Sequence, residues 1–192
     1  MTIDITKCNK INVTDSCALW NVLSSPTLYG VLVEQQFIFS CTDFVVYECL
    51  YRSRTTSEPG DAYLKGLAKT LIGQRKIESH PLTIEDLQDE KILQFRNQIG
   101  RGELSSIAFA KKTGLSLLTD DQKARRLGGE ILGANRIQTT PLLFGWLMFN
   151  NYLSDQDLEP VIADHKQNGR PLEKYFRAVH EESWRIKLMI KN

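Results

Sequence analysis

Apolar and polar positions alternate along the first 150 residues in a way that predicts strands and helices in turn. Short apolar runs, bounded by polar or turn-forming residues, are typical of buried strands. Five such runs lie at 11–14, 37–41, 77–82, 115–119 and 136–139. Segments with helical spacing lie at 17–23, 26–35, 43–51, 62–76, 83–99, 103–113, 121–132 and 141–150. This alternation predicts an α/β fold in which a central parallel sheet is flanked by helices on both faces.

Two further helical segments, at 154–168 and 171–190, follow this alternating part. We therefore expect a domain over residues 1–150 and a helical C-terminal extension over 151–192 that packs on it. The segment 141–150 has seven large apolar residues in ten positions, too many for a helix with one solvated face. We expect the C-terminal helices to cover it and a homodimer or partner surface to lie nearby.

Length and charge narrow the class of protein. The chain has 192 residues, 42% hydrophobic and 24% charged, and a net charge of +1, so it predicts one globular domain without a strongly basic surface. Four cysteines and three histidines form no zinc pattern. No signal peptide or apolar run of about 18 residues is visible, so we expect a cytoplasmic protein that does not enter a membrane.

Acidic residues follow the predicted strands. Asp15 comes directly after the first strand, and Asp120 and Asp121 come after the fourth. The carboxyl ends of parallel strands share one edge of the sheet, where ligands of open α/β sheets gather. Glu48 and Glu103 join this edge if their helices lean over it. Clustered carboxylates repel each other, and a hard cation such as Mg²⁺ or Mn²⁺ relieves that repulsion. Such an ion favours hydrolysis of a phosphate ester.

The same residues have a structural interpretation. An Asp between a strand and a helix is more often an N-cap than a ligand, and Glu103 in a first helical turn suits the helix dipole. Each acidic residue alone is therefore a weak indication of function. Only the set as a whole indicates a functional site.

Four segments carry a family resemblance, in the order in which the family has them. They are 13–23 (VTDSCALWNVL), 44–51 (FVVYECLY), 100–110 (GRGELSSIAFA) and 117–125 (LLTDDQKAR). Together they resemble the PIN-domain family of metal-dependent ribonucleases, in particular the branch with GxGE and DDxxAR motifs. Cys17 stands where the family usually has Ser or Thr, and Ser16 is a candidate for the missing hydroxyl. The segment 53–99 and the C-terminal extension are longer than in small family members.

The resemblance implies a PIN-like fold, a Mg²⁺ or Mn²⁺ site and endoribonuclease activity. The implied catalytic residues are Asp15, Glu48, Glu103 and Asp121, with Asp120 as a further metal ligand. Many small bacterial members resemble VapC-type toxins, so an antitoxin protein and a homodimer are the expected partners besides RNA. The alternative is a catalytically silent PIN-fold module that binds RNA or a protein.

An RNA substrate requires polar and basic groups near its phosphates. The candidates, all close in sequence to a proposed ligand, are Ser16, Arg52, Arg101, Lys123 and Arg125. For Arg125 and the neighbouring Arg126, ordinary i,i+4 ion pairs on a solvated helix are the competing interpretation.

Overall fold

The computed structural model of the chain describes residues 4–52 and 60–191. These residues contain five strands, which confirm the five predicted ones. They are β1 Ile11–Thr14, β2 Ile38–Thr42, β3 Ile77–His80, β4 Ser116–Leu118 and β5 Ile137–Gln138. The third strand ends two residues earlier than predicted. Most of the predicted loop at 53–61 lies outside the described residues.

Eleven helices are found in this part of the chain. They are α1 Ser16–Ser24, α2 Pro26–Glu34, α3 Asp43–Leu50, α4 Asp61–Gly73, α5 Ile84–Leu87, α6 Glu90–Leu93, α7 Arg101–Thr113, α8 Gln122–Leu132, α9 Thr140–Phe149, α10 Asp155–Gln167 and α11 Glu173–Lys191.

The prediction of one helix over 83–99 is wrong, since this segment holds only the short helices α5 and α6. Thr83 begins α5 with a capping box. The helix ends after one turn because the Asp89 side chain accepts a hydrogen bond from the Lys91 backbone and starts α6 instead. Lys112 and Lys111 of α7 pair with Asp86 and Asp89, so contacts with α7 also hold the two short turns.

The sheet is parallel throughout, with the strand order β3-β2-β1-β4-β5. The chain builds outward from β1 through β2 to β3, then crosses to the other side of β1 with β4 and β5. The direction of the connections therefore reverses between β1 and β4, where Thr14 lies beside Leu118. In an open α/β sheet, the crevice outside the strand ends at such a switch point is the usual ligand site.

Helices cover both faces of the sheet. The neighbouring residues Leu117 and Leu118 point to opposite faces, as strand geometry requires. Leu117 packs in one core with Ile107 of α7 and Leu127 of α8. Leu118 belongs to the other core, which α1, α3, α4, α9, α10 and α11 contribute to. The predicted α/β class with a flanked parallel sheet is thus confirmed.

The C-terminal helix α11 packs against α9. The Phe144 ring meets the Phe176 ring edge to face at 5.1 Å, and a Cβ added to Gly145 would lie 3.0 Å from Val179. Residues of α11 therefore share the core of the sheet domain and cover the apolar helix. No helix in residues 4–52 or 60–191 is long and apolar enough to cross a membrane.

Candidate functional site at the carboxyl edge of the sheet

Asp15 occupies the switch point, directly after β1. It is fully buried, and its Oδ1 accepts a hydrogen bond of 2.8 Å from the Ala18 backbone, which caps α1. Its Oδ2 accepts a hydrogen bond from the Thr119 hydroxyl at the end of β4. The structural interpretation of Asp15 as an N-cap is therefore correct, and a second strand end also contacts the same carboxylate.

The charge of Asp15 is poorly compensated. Burial raises the pKa of its carboxyl from the ordinary 3.8 to about 7, although the hydrogen bonds from Ala18 and Thr119 act in the opposite direction. The negative charges of Asp120 and Glu103 raise this pKa further. In the part of the chain that the structure describes, no basic side chain forms an ion pair with Asp15.

Glu103 lies in the first turn of α7, which begins after Gly100. Its Oε2 is buried and has no hydrogen-bond partner among the described residues. Burial raises the pKa of Glu103, and the charges of Glu48 and Asp121 add to that rise. A buried carboxylate oxygen without a donor is costly, so this atom is a candidate contact for a bound cation or water.

Glu48 reaches the same place from α3. A Cβ added to Gly102 would lie 2.0 Å from Glu48 Oε2, so only the bare backbone of a glycine leaves room for this carboxylate. Ser16 donates a hydrogen bond of 3.1 Å to Oε2, and Arg52 pairs with Oε1 at 3.2 Å. Glu48 is thereby held between the starts of α1 and α7.

The two aspartates after β4 have different surroundings. Asp120 accepts hydrogen bonds from the side chain of Asn21 and from both the backbone and the hydroxyl of Thr140, so it ties α1 to α9. Asp121 caps α8 through the Ala124 backbone at 2.7 Å. Asp121 also lines an open cleft of about 400 Å³, together with residues 97–100, Glu103 and Lys123.

The donor chemistry of this edge fits a hard divalent cation, because every candidate ligand is a carboxylate oxygen and Glu103 Oε2 is left without a partner. Within residues 4–52 and 60–191, however, no group of three or more His, Cys, Asp or Glu side chains is arranged to hold a metal ion. The residue types fit the ion, while the side chains adopt hydrogen-bonded positions rather than a preassembled coordination sphere.

The predicted RNA-contacting residues surround this edge unevenly. Arg52, Arg101 and Lys123 are exposed, whereas Ser16 and Arg125 are half-buried. Ser16 and Arg52 are bound to Glu48, and Lys123 lines the cleft. The i,i+4 interpretation holds for Arg126, which pairs with Glu130 at 3.3 Å.

Four polar residues at this edge were not predicted. Thr119 and Asn21 contact the aspartates, and Asn97 and Gln98 line the cleft. Thr119 ends a predicted strand next to Asp120, which is a signal that could have found it. The other three depend on tertiary contacts that no local pattern reveals.

Comparisons with protein-family models, curated proteins and solved structures gave no match to this chain.

Proposed function

We propose that this protein is a PIN-like, divalent-metal-dependent endoribonuclease, a hydrolase that acts on RNA phosphodiester bonds. The observation that supports the proposal is the mutual charge repulsion among carboxylates at the carboxyl edge of the sheet: Asp120 and Glu103 act on Asp15, and Glu48 and Asp121 act on Glu103. Burial and mutual repulsion raise the pKa of Asp15 and of Glu103 there. Functional sites are where such unfavourable charge is retained, and a cation offsets it.

In this proposal Asp15, Glu48, Glu103 and Asp121 hold Mg²⁺ or Mn²⁺, and Asp120 positions its neighbours through Asn21 and Thr140. The bound ion would polarise a phosphodiester and lower the pKa of an attacking water.

The protein's own residues have separate tasks. Thr119 fixes the orientation of Asp15, and Ser16 fixes that of Glu48. The unpartnered Oε2 of Glu103 accepts a hydrogen bond from the attacking water and orients it. Lys123, which lines the cleft with Glu103 and Asp121, and Arg101, which is exposed two residues before Glu103, attract the phosphates of the RNA strand.

We further propose a cytoplasmic toxin of a toxin–antitoxin pair, with an antitoxin protein and a second copy of the chain as partners. The resemblance to VapC-type toxins supports this. So do the apolar side chains of Trp184, Leu188, Met189 and Ile190, which are exposed on the last turns of α11. A small reading frame adjoining the gene, whose product binds this protein and blocks cleavage, is the expected finding. Lack of inhibition by such a neighbour would remove the toxin assignment.

Metal dependence of RNA cleavage tests the proposed activity. The purified chain is chelated with EDTA, dialysed and incubated with a mixed RNA pool, with and without added Mg²⁺ or Mn²⁺. We expect internal cleavage only after the metal is restored. Equal cleavage in both samples would contradict a metal-dependent reaction.

A catalytically silent module is the second candidate, and one observation favours it. The oxygens of Asp15 and Asp120 are already engaged by hydrogen bonds, and the described side chains form no preassembled metal site. This alternative predicts that the chain retards RNA in a gel shift and that the RNA stays intact at every metal concentration.

A further inference from the structure

The cleft beside Glu103 and Asp121 has one wall that the proposed reaction does not use. Asn97 and Gln98 are exposed on this wall, and the partly buried Ile99 follows them. Lys123 also lines the cleft. The cleft therefore joins two amides, an apolar side chain and a cation to the carboxylate edge.

The amides are available for a ligand. Asn97 makes no side-chain hydrogen bond within the described residues, and Gln98 uses only its Nε2, which donates to the Gln94 carbonyl at 3.3 Å. The wall itself is anchored, since Ile92 and Phe95 are buried in the same core as Ile107. Free polar groups on an anchored wall are suited to recognition, because little ordering is needed when a ligand binds.

The chemistry of the wall matches a nucleobase. An amide offers a donor and an acceptor side by side, which pairs with the edge of a base, and an apolar side chain packs on the face of the ring. Lys123 suits the phosphate of the same nucleotide. Such contacts favour unpaired RNA, because pairing occupies the Watson–Crick edges in a duplex and the deep, narrow major groove of A-form RNA keeps side chains from the other edges.

We propose that this cleft binds one unpaired nucleobase of the RNA, next to the phosphodiester that the carboxylates address, and reads its edge through Asn97 and Gln98. The position next to the cut rests on the proposed function. Binding of the nucleotide in the cleft does not, since it requires neither the metal nor the reaction. Cleavage then has a base preference at one fixed position beside the cut.

Nucleotide binding is tested first, with the full chain in EDTA. The ¹⁵N-labelled protein is titrated with AMP, GMP, CMP and UMP, and the side-chain amide resonances of Asn97 and Gln98 are followed. We expect them to shift, and one nucleotide to bind at least about fivefold tighter than the weakest. The double variant Asn97→Ala/Gln98→Ala should lose that difference. If no nucleotide moves these resonances, or if the double variant keeps the difference, the proposal is overturned.

Gln94→Ala is the matched control for this experiment. Gln94 is an exposed amide on the same segment that does not line the cleft, and its backbone carbonyl, which Gln98 contacts, stays in place. It should bind all four nucleotides as the unmodified chain does. A loss as large as that of the double variant would contradict the assignment to Asn97 and Gln98.

The cleavage sites provide the second readout. Ends produced from a random-sequence RNA with Mn²⁺ are sequenced, and we expect about a tenfold enrichment of one base beside the cut, which the double variant abolishes. Cleavage without any preference would overturn the base cleft and leave the nuclease proposal intact. Nucleotide binding without cleavage would overturn the nuclease proposal and leave the base cleft intact. The two failures are therefore distinguishable.

Discussion

Asp15 is both a helix cap and a buried carboxylate, and the two roles make opposing demands on its charge. The cap on α1 favours the ionised form, whereas burial and the neighbouring carboxylates favour the neutral one. Burial has the larger effect, and it raises the pKa of Asp15 to about 7. The metal-free protein therefore carries a charge cost near neutral pH that a bound cation would remove.

The contribution of Asp15 to the stability of the metal-free protein should consequently fall as pH rises from about 4 to about 7. A carboxyl with a raised pKa in the folded state binds more protons there than in the unfolded chain, so ionisation lowers the free energy of unfolding. The stability difference is fully present below the ordinary pKa of 3.8 and is lost by the time pH exceeds about 7. Urea unfolding of the unmodified chain, compared across this range with a variant that lacks the Asp15 carboxyl, should show a loss on the order of a few kcal/mol.

Asp15→Asn provides the comparison, because it removes the charge and keeps the size of the side chain. The difference in unfolding free energy between this variant and the unmodified chain should shift in favour of the variant as pH rises from about 4 to about 7. Parallel curves for the two proteins would show that Asp15 does not titrate in this range.

Thr119 supports Asp15 directly, so Thr119→Val should destabilise the fold. The change leaves a buried oxygen of Asp15 and the Asp121 backbone without this hydroxyl, at a cost of about 1–3 kcal/mol. Thr113→Val is the control, since the Thr113 hydroxyl only bonds the Phe109 carbonyl within α7. Equal losses of unfolding free energy in the two variants would contradict a special role for Thr119.

Part of the carboxylate site is predictable from the sequence. Asp15 and Asp121 follow strands, and parallel strands share an edge, so their placement needs only the order of elements. Asn21 and Asn97 approach the edge through tertiary contacts, and nothing in their local sequence distinguishes them from ordinary surface amides. Their part in the site could not be predicted.

At the scale of elements, the start of α7 organises the carboxylates. Gly100 and Gly102 lie just before Glu103 at the start of α7. A Cβ added to Gly100 would collide with the carboxylate of Glu103, and a Cβ added to Gly102 would collide with that of Glu48. The positions of α3 and α7 thus bring Glu48 and Glu103 to this edge. The sequence predicted this only on the condition that the two helices lean over the edge.

Gly102→Ala should therefore reduce RNA cleavage by about a hundredfold, because Glu48 must move away from its position. Gly66→Ala in α4 is the matched control, since a Cβ there meets nothing within 4 Å. The control should keep full activity and gain about 0.5–1 kcal/mol in unfolding free energy. Unchanged activity in Gly102→Ala would show that Glu48 is not needed where it lies.

The element bounds show where local patterns are sufficient. The helices predicted to begin at 26 and 43 do begin there, and Ser25 and Thr42 cap them. The prediction of one helix over 83–99 is wrong because Asp89 starts a new turn and lysines of α7 hold both short helices. The contacts with α7 lie outside the local sequence pattern.

At the scale of the whole molecule, the alternation of elements predicts a parallel sheet but not its strand order. The order places β1 beside β4, and this neighbourhood makes the carboxylate edge a switch point. Strand order depends on which helices pack on which face, so it emerges only from the assembled core.

The C-terminal helix is part of that core, so Phe176→Ala should destabilise the whole domain. Phe176 is fully buried against Phe144, and truncation of such a ring costs about 3–5 kcal/mol. Tyr175→Ala, at a half-exposed neighbouring position, should change the unfolding free energy by no more than about 0.5 kcal/mol. A small effect for Phe176→Ala would show that α11 is dispensable for the sheet domain.

We propose that Asp15 serves a metal-dependent reaction in addition to capping a helix. Cleavage of RNA with Mn²⁺ by Asp15→Asn and by Asp157→Asn separates the two roles, because Asp157 also holds a helix start, through a capping box in α10. We predict that Asp15→Asn is folded and inactive at every Mn²⁺ concentration, whereas Asp157→Asn cleaves at the rate of the unmodified chain. Cleavage by Asp15→Asn at that same rate would show that the reaction does not need the Asp15 carboxylate.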